Sequence, residues 1–219
     1  MIDFAVARKN MVESQVRPSD VTDRRIIRAM LDIPREAFVP EALKTLAYMD
    51  TPVRVSDAGD RAMMAPRVLA KLLQLAEIEA SDVVLTVGAG NGYTAAVIGR
   101  VAQTVVALES DAALAAAAGT ILGTLSADNV AVVTGPLAQG YPSEGPYDAI
   151  VVDGAIADAP RALLDQLKDG GRLVAVVDAG PIGKGTVWKR LGSSFDSPAE
   201  FDATAPRLPG LQRPKGFAL

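Results

Sequence analysis

The run Val83-Val84-Leu85-Thr86-Val87 empties into Gly88-Ala89-Gly90-Asn91-Gly92-Tyr93, and no other stretch constrains the fold as strongly. A short Val-rich segment without polar alternation suits a strand buried on both faces, as in parallel sheets. Glycines at every second position let the backbone turn tightly and approach a ligand without Cβ interference. A helix beginning at such a turn starts at the ligand.

The pattern then repeats. Strands are expected at Val83–Val87, Val105–Leu108, Val130–Val133, Ala149–Val152 and Leu173–Val177, with helices at Tyr93–Val101, Asp111–Leu125 and Pro160–Leu167. This alternation predicts an α/β fold built on a doubly wound, mostly parallel Rossmann-like sheet, with ligand at the carboxyl ends of the strands. Beyond Val177, closely spaced Gly and Pro leave room for short strands near Thr186–Leu191 and Gly216–Leu219, which suit an antiparallel edge.

The glycine spacing is Gly-x-Gly-x-Gly, one residue short of the Gly-x-Gly-x-x-Gly that nests a dinucleotide pyrophosphate, so a nicotinamide cofactor is disfavoured. S-adenosyl-L-methionine is the better candidate. The second expected strand delivers Glu109 to its carboxyl end, 17 residues after Gly92. An acid there can accept hydrogen bonds from both ribose hydroxyls of an adenosyl group; the bland alternative is a solvated carboxylate at a strand end.

The first 50 residues read as helical. Phe4–Val16 is periodic, Pro18-Ser19-Asp20 breaks it, and Thr22 is placed to cap a helix carrying Ile26, Ile27, Met30 and Leu31. Pro34 and Pro40 force non-helical backbone, and an amphipathic helix follows Pro66. The expected organisation is one domain over 1–219, in which a helical, substrate-facing segment (1–80) packs on a cofactor-binding α/β core (81–219).

Composition narrows the chemistry. With 49% hydrophobic residues the chain can bury a sizeable core, and a net charge of −4 with scattered basic residues offers no field for nucleic acid. No stretch reaches the roughly 18 apolar residues of a membrane span, and residues 1–20 lack a signal-peptide core, so a soluble cytoplasmic protein is expected. The chain has no Cys and no His, which excludes disulfides, thiolate nucleophiles, imidazole bases and metal sites built on those residues. Methyl transfer to a carboxylate survives that exclusion, because the acceptor is already ionised at neutral pH.

Several separated signatures resemble the protein-L-isoaspartate O-methyltransferases over nearly all of residues 8–177. They are Met11-Val12 with Gln15, the run Ile33–Pro40, Tyr48–Pro52, the Gly88–Tyr93 loop, Asn129-Val130, Tyr147–Ile150 and Gln166–Val174. The resemblance implies a methyltransferase that uses S-adenosyl-L-methionine to methylate the free carboxylate of isoaspartyl residues in damaged proteins, starting repair through a succinimide.

The departures fall at the chemistry. Where the family has Gly-Gln-Thr-Ile-Ser-Gln-Pro, this chain anchored on Pro66 reads Asp60-Arg61-Ala62-Met63-Met64-Ala65-Pro66, so both hydroxyl positions, Ala62 and Met64, are apolar. Anchoring on Pro52 instead puts Asp60 and Ala62 there, and Ser56 is the nearest hydroxyl upstream. Thr86 replaces a family Glu that faces the methionine end of the cofactor, and Gly135-Pro136-Leu137 replaces a Gly-Asp-Gly near the adenine.

The expected cofactor set is therefore Thr86, Gly88, Ala89, Gly90, Asn91, Gly92, Glu109, Pro136, Leu137 and Asp153, with no catalytic side chain assigned. Asp153 reads either as a group beside the sulfonium or as a helix cap. Arg61 reads either as a partner for a substrate carboxylate or as a solvated surface arginine. Met63, Met64, Tyr93 and Trp188 read as packing residues. Three functions stay open: isoaspartyl methyl transfer, transfer to a different carboxylate or small molecule on the same fold, and a non-catalytic binding or regulatory protein.

Overall fold

The computed structural model describes residues 2–55, 61–178 and 182–212. Helix α1 (Phe4–Met11) starts where the Asp3 carboxylate accepts hydrogen bonds from the Ala5 and Val6 amides at 3.0 and 3.1 Å. It continues as a wider π-helical stretch to Val16 and a 3₁₀ turn to Ser19, ending where Asp20 turns left-handed at φ 62°. Helix α2 (Arg24–Asp32) is capped by Asp23, whose carboxylate accepts from the Arg25 amide at 2.8 Å. Thr22 does not cap it: its amide is held by Gln74 at 2.6 Å, so the longer Asp side chain one residue on takes the cap.

Pro34 and Pro40 are extended, as their sequence requires, and each opens a 3₁₀ turn (Arg35–Phe38 and Glu41–Leu46). A two-strand hairpin of β1 (Val53–Arg54) and β2 (Ala62–Met63), absent from the helical expectation, leads to helix α3 (Pro66–Leu75).

The central sheet comprises β3 (Val83–Val87), β4 (Thr104–Glu109), β5 (Val130–Thr134), β6 (Tyr147–Ile156), β7 (Leu167–Val177), β8 (Lys184–Leu191), β9 (Ser194–Asp196) and β10 (Ala199–Asp202). Its order is β10-β8-β7-β6-β3-β4-β5, with β9 pairing β8. Strands β7, β6, β3, β4 and β5 are parallel, and β8 and β10 form the antiparallel edge. The expected Gly216–Leu219 strand lies outside the described residues; β9 and β10 supply that edge instead.

Helices α4 (Tyr93–Ile98), α5 (Ala112–Thr124) and α6 (Arg161–Leu164) connect the parallel strands, the first and last being shorter than expected. Strands β6 and β7 are longer than expected because they run on through Gly154 and Gly171. A Cβ on Gly171 would meet the Lys168 carbonyl oxygen at 2.9 Å, so glycine here permits close strand approach.

Alternate residues of the parallel strands feed two cores. Val84, Ala107, Val151 and Val174 join the N-terminal segment, α3 and α4 in one cluster. Leu85, Leu108, Val152 and Leu173 join α6, Trp188, Leu208 and Leu211 in the other. This two-sided burial is what the unbroken apolar strands foreshadow. Among the described residues no helix is long and apolar enough to cross a membrane.

Candidate active site

The chain winds outward in opposite directions from β3, so the switch point of the sheet lies between β3 and β6, and ligands of such sheets bind beyond the strands' carboxyl ends at that point. Register fixes what stands there. Val87 pairs with Leu108 on one side and with Val152 on the other, so Gly88, Glu109 and Asp153 come one rung later on three adjacent strands.

Gly88, Gly90 and Gly92 adopt φ of 84°, 54° and 94°, a region that side chains with a Cβ rarely enter, and this curls the loop over the end of β3. The Gly88 and Ala89 amides both donate to the Leu108 carbonyl, at 2.9 and 3.0 Å. Asn91 ties the loop to the N-terminal segment, donating to the Phe38 and Val55 carbonyls at 3.1 and 2.7 Å. Tyr93 is buried, its ring 4.6 Å from the Arg35 guanidinium carbon.

Arg35 has no exposed surface, and its partners are carbonyls rather than an acid: Nε donates to Ala47 at 2.7 Å and Nη2 to Met64 at 2.6 Å. The Ile33–Pro40 signature thereby fastens the 61–64 segment beside the glycine loop. Its neighbour Glu36 is held by the Tyr48 hydroxyl and by Arg8 at 3.3 Å.

Glu109 is fully buried and heavily hydrogen-bonded. Its Oε1 accepts from Arg61 Nη1 at 2.6 Å and from the Ser110 and Asp111 amides at 2.8 and 3.0 Å. Its Oε2 accepts from Arg61 Nη2 at 2.9 Å and from the Gly90 amide at 2.7 Å. Burial pushes its pKa up, but the Arg61 hydrogen bonds and charge, with the backbone donors, outweigh that and hold it below the ordinary glutamate value. The solvated alternatives for Glu109 and Arg61 are both overturned, because each is the other's partner inside the protein.

Asp153 lies within β6, and the helix that follows is preceded by Pro160, so it caps nothing. Its Oδ1 is buried without a hydrogen-bond partner among the described residues. Burial raises its pKa to about 6, with the Thr94 hydroxyl and the charges of Arg61 and Arg35 only partly opposing and Glu109 adding to the rise.

The remaining expected residues are placed as follows. Thr86 is buried inside β3, its hydroxyl without a partner among the described residues; Ala89 is buried in the loop; Pro136 is exposed beyond β5; and Leu137 is buried in the second core. Met63 and Met64 are core residues, 6% and 1% exposed, and Trp188 is likewise buried. Ser56 and Asp60, the hydroxyl and acid near the family's reacting segment, lie outside the described residues.

Two contacts escape a reading of the sequence. Arg61 also donates to the Gly88 carbonyl at 2.9 Å, and Leu208 stands so close that a Cβ on Gly88 would meet its Cδ2 at 2.7 Å. Leu208 is put there by residues 206–208, which hydrogen-bond to Ala155 at the end of β6. No local signal pairs Arg61 with an acid 48 positions away.

These residues suit S-adenosyl-L-methionine. The loop offers backbone stripped of side chains, Gly90 faces open space with only a Val55 methyl at 3.8 Å from a would-be Cβ, Glu109 stands at the strand end where a ribose acceptor belongs with Arg61 now seated on it, and Asp153 has an oxygen without a partner among the described residues.

Comparisons with known proteins agree with this geometry. The family model for protein-L-isoaspartate(D-aspartate) O-methyltransferase (PCMT) matches residues 7–190. A protein-L-isoaspartate O-methyltransferase of Rhodopseudomonas palustris is 43% identical over 77% of each chain, and one of Methanoculleus marisnigri is 41% identical over 78% of this chain and 76% of its own. A solved protein-L-isoaspartate O-methyltransferase superposes with a TM-score of 0.83 at 25% identity, covering 94% of this chain and 67% of the other. A beta-aspartate methyltransferase (PCMT) from Plasmodium falciparum, solved with S-adenosyl-L-homocysteine, shares the fold with a TM-score of 0.75 at 20% identity, over 91% of this chain and 98% of its own. The parallel strands β3 to β7, the glycine loop and the Ile33–Pro40 anchor lie within residues 7–190, and the chain belongs to the protein-L-isoaspartate O-methyltransferase family.

Proposed function

We propose that this protein transfers the methyl group of S-adenosyl-L-methionine to the free carboxylate of isoaspartyl residues in damaged proteins or peptides. The observation that carries the reading is the rung formed by Gly88, Glu109 and Asp153 at the switch point of the sheet. When bound, the cofactor supplies an electrophilic methyl on a sulfonium, so that an O–C bond forms as the C–S bond breaks.

The chain's own residues would bind and orient. Gly88, Ala89, Gly90, Asn91 and Gly92 would lie under the cofactor, with Glu109 on the ribose, Pro136 and Leu137 flanking the base, and Thr86 and Asp153 towards the sulfonium. The acceptor carboxylate is ionised at neutral pH, so no base is required of a chain without His or Cys. Rate would come from alignment and from water exclusion by buried Met63, Met64 and Leu208. In this reading residues 1–80 face the acceptor and 81–219 hold the cofactor within one domain, and the protein works in the cytoplasm, without nucleic-acid or membrane partners.

A second reading rests on Ala62 and Met64. With no hydroxyl at either position and Met64 buried, the acceptor would be a different, small carboxylate. Calorimetric titration with S-adenosyl-L-methionine and S-adenosyl-L-homocysteine, followed by transfer to an isoaspartyl peptide, tests both readings. Binding with transfer is expected; binding without transfer favours the second reading; no binding of either ligand would leave a binding protein of another kind.

A further inference from the structure

We infer that Arg61 is the counter-ion of the acceptor carboxylate, parked on Glu109 and released when the cofactor's ribose takes that place. The inference rests on the proposed function and begins from a conflict of occupancy. A carboxylate offers about four acceptor sites. Glu109 already accepts from three backbone amides and from both Arg61 Nη atoms, so ribose hydroxyls can reach it only if the guanidinium leaves. The three amides belong to the fixed loop and strand end and cannot leave. The guanidinium of Arg61 is instead the end of a long side chain, and it also donates to the Gly88 carbonyl.

Charge decides where the freed head goes. The switch point holds two buried acids, Glu109 and Asp153, and an arriving acceptor would be a third carboxylate in the same low-dielectric surroundings. Like charges so placed repel unless cations stand among them; the sulfonium of the methyl donor would be one, and the chain's own candidates are Arg35 and Arg61. Arg35 has no exposed surface and spends Nε and Nη2 on the Ala47 and Met64 carbonyls, leaving a single buried Nη1 without a partner among the described residues, whereas Arg61 directly precedes Ala62 and can turn both Nη atoms on a carboxylate together. Its two-pronged grip on Glu109 is the geometry with which a guanidinium grips any carboxylate. Ala62 and Met64 bring no hydroxyl to that segment, and Arg61, their neighbour, brings the donors instead. Cofactor and acceptor therefore bind in sequence, the first freeing the residue that holds the second.

The test is equilibrium titration of the full chain with S-adenosyl-L-homocysteine, and of an isoaspartyl hexapeptide with and without it, using wild type, Arg61→Gln and Arg61→Lys, each checked for native melting. The expected wild-type result is peptide binding that tightens when S-adenosyl-L-homocysteine is present. Arg61→Gln should bind S-adenosyl-L-homocysteine at least as tightly, bind peptide about tenfold more weakly in its presence, and lose the coupling; Arg61→Lys should recover part of the peptide affinity. Peptide binding unchanged in Arg61→Gln, or a parallel loss of both ligands, would overturn the inference while leaving the function intact. A wild-type protein that binds neither ligand would overturn the function and the inference together.

Discussion

The end of β4 and the neighbouring stretch inside β6 carry the same chemical group at the same level of the sheet and treat it in opposite ways. Glu109 meets six donors and is held ionised; Asp153 keeps an oxygen without a partner among the described residues, and its pKa is raised to about 6. The contrast teaches that burial alone does not set a carboxylate's state. The supply of donors does: Glu109 receives three backbone amides and a guanidinium, whereas Asp153 has the Thr94 hydroxyl and no backbone amide beside it among the described residues.

The largest effect should come from removing the acid that is satisfied. Glu109→Ala strands the Arg61 guanidinium among buried groups, and losing one partner of such a pair costs about 3–5 kcal/mol. Calorimetry should show Tm falling by about 10 °C for a chain of this size, and titration should show no cofactor binding. Retained binding would remove Glu109 from the ribose.

Next comes the unsatisfied acid, where the sign reverses. Asp153 goes from 3.8 unfolded to about 6 folded, so the folded state holds its proton more tightly and stability falls as pH rises through that window. Asp153→Asn should therefore be more stable than wild type at pH 7.5, by up to about 3 kcal/mol in urea unfolding, with the advantage gone near pH 4. Glu109, lowered from 4.5, stabilises above that value and loses its contribution only as pH falls further. Acidifying the wild type from pH 7 to 5 should accordingly raise stability before it lowers it; a monotonic fall would break the comparison.

Smaller still, Gly90→Ala should cost about 1–2 kcal/mol, because its Cβ finds space and only the φ of 54° is strained. Thr86→Val should stabilise by about 1 kcal/mol by removing a buried hydroxyl without a partner. Weaker cofactor binding in that variant would show that the hydroxyl is kept for a ligand.

Most of the sheet was legible, because buried parallel strands print themselves as apolar runs and turns print themselves as glycines. Glu109 could be placed from the end of its strand alone. Boundaries slipped where the cue is ambiguous: Thr22 and Asp23 are both capping residues, and the strand expected from Leu173 starts at Leu167 because it runs through Gly170 and Gly171. What the sequence could not print is three-dimensional pairing. That Arg61 closes on Glu109, that Arg35 is answered by carbonyls, and that Leu208 returns to the β3 turn depend on segments meeting across the fold.

Asn91 has a consequence for mechanics. A turn with three residues at positive φ would be soft if it hung free, yet its central amide side chain is bolted to two carbonyls of the N-terminal segment. The flexibility a ligand would otherwise have to freeze is removed during folding. The first 55 residues thus act as a brace for the turn, and amide exchange in the two should slow and quicken together.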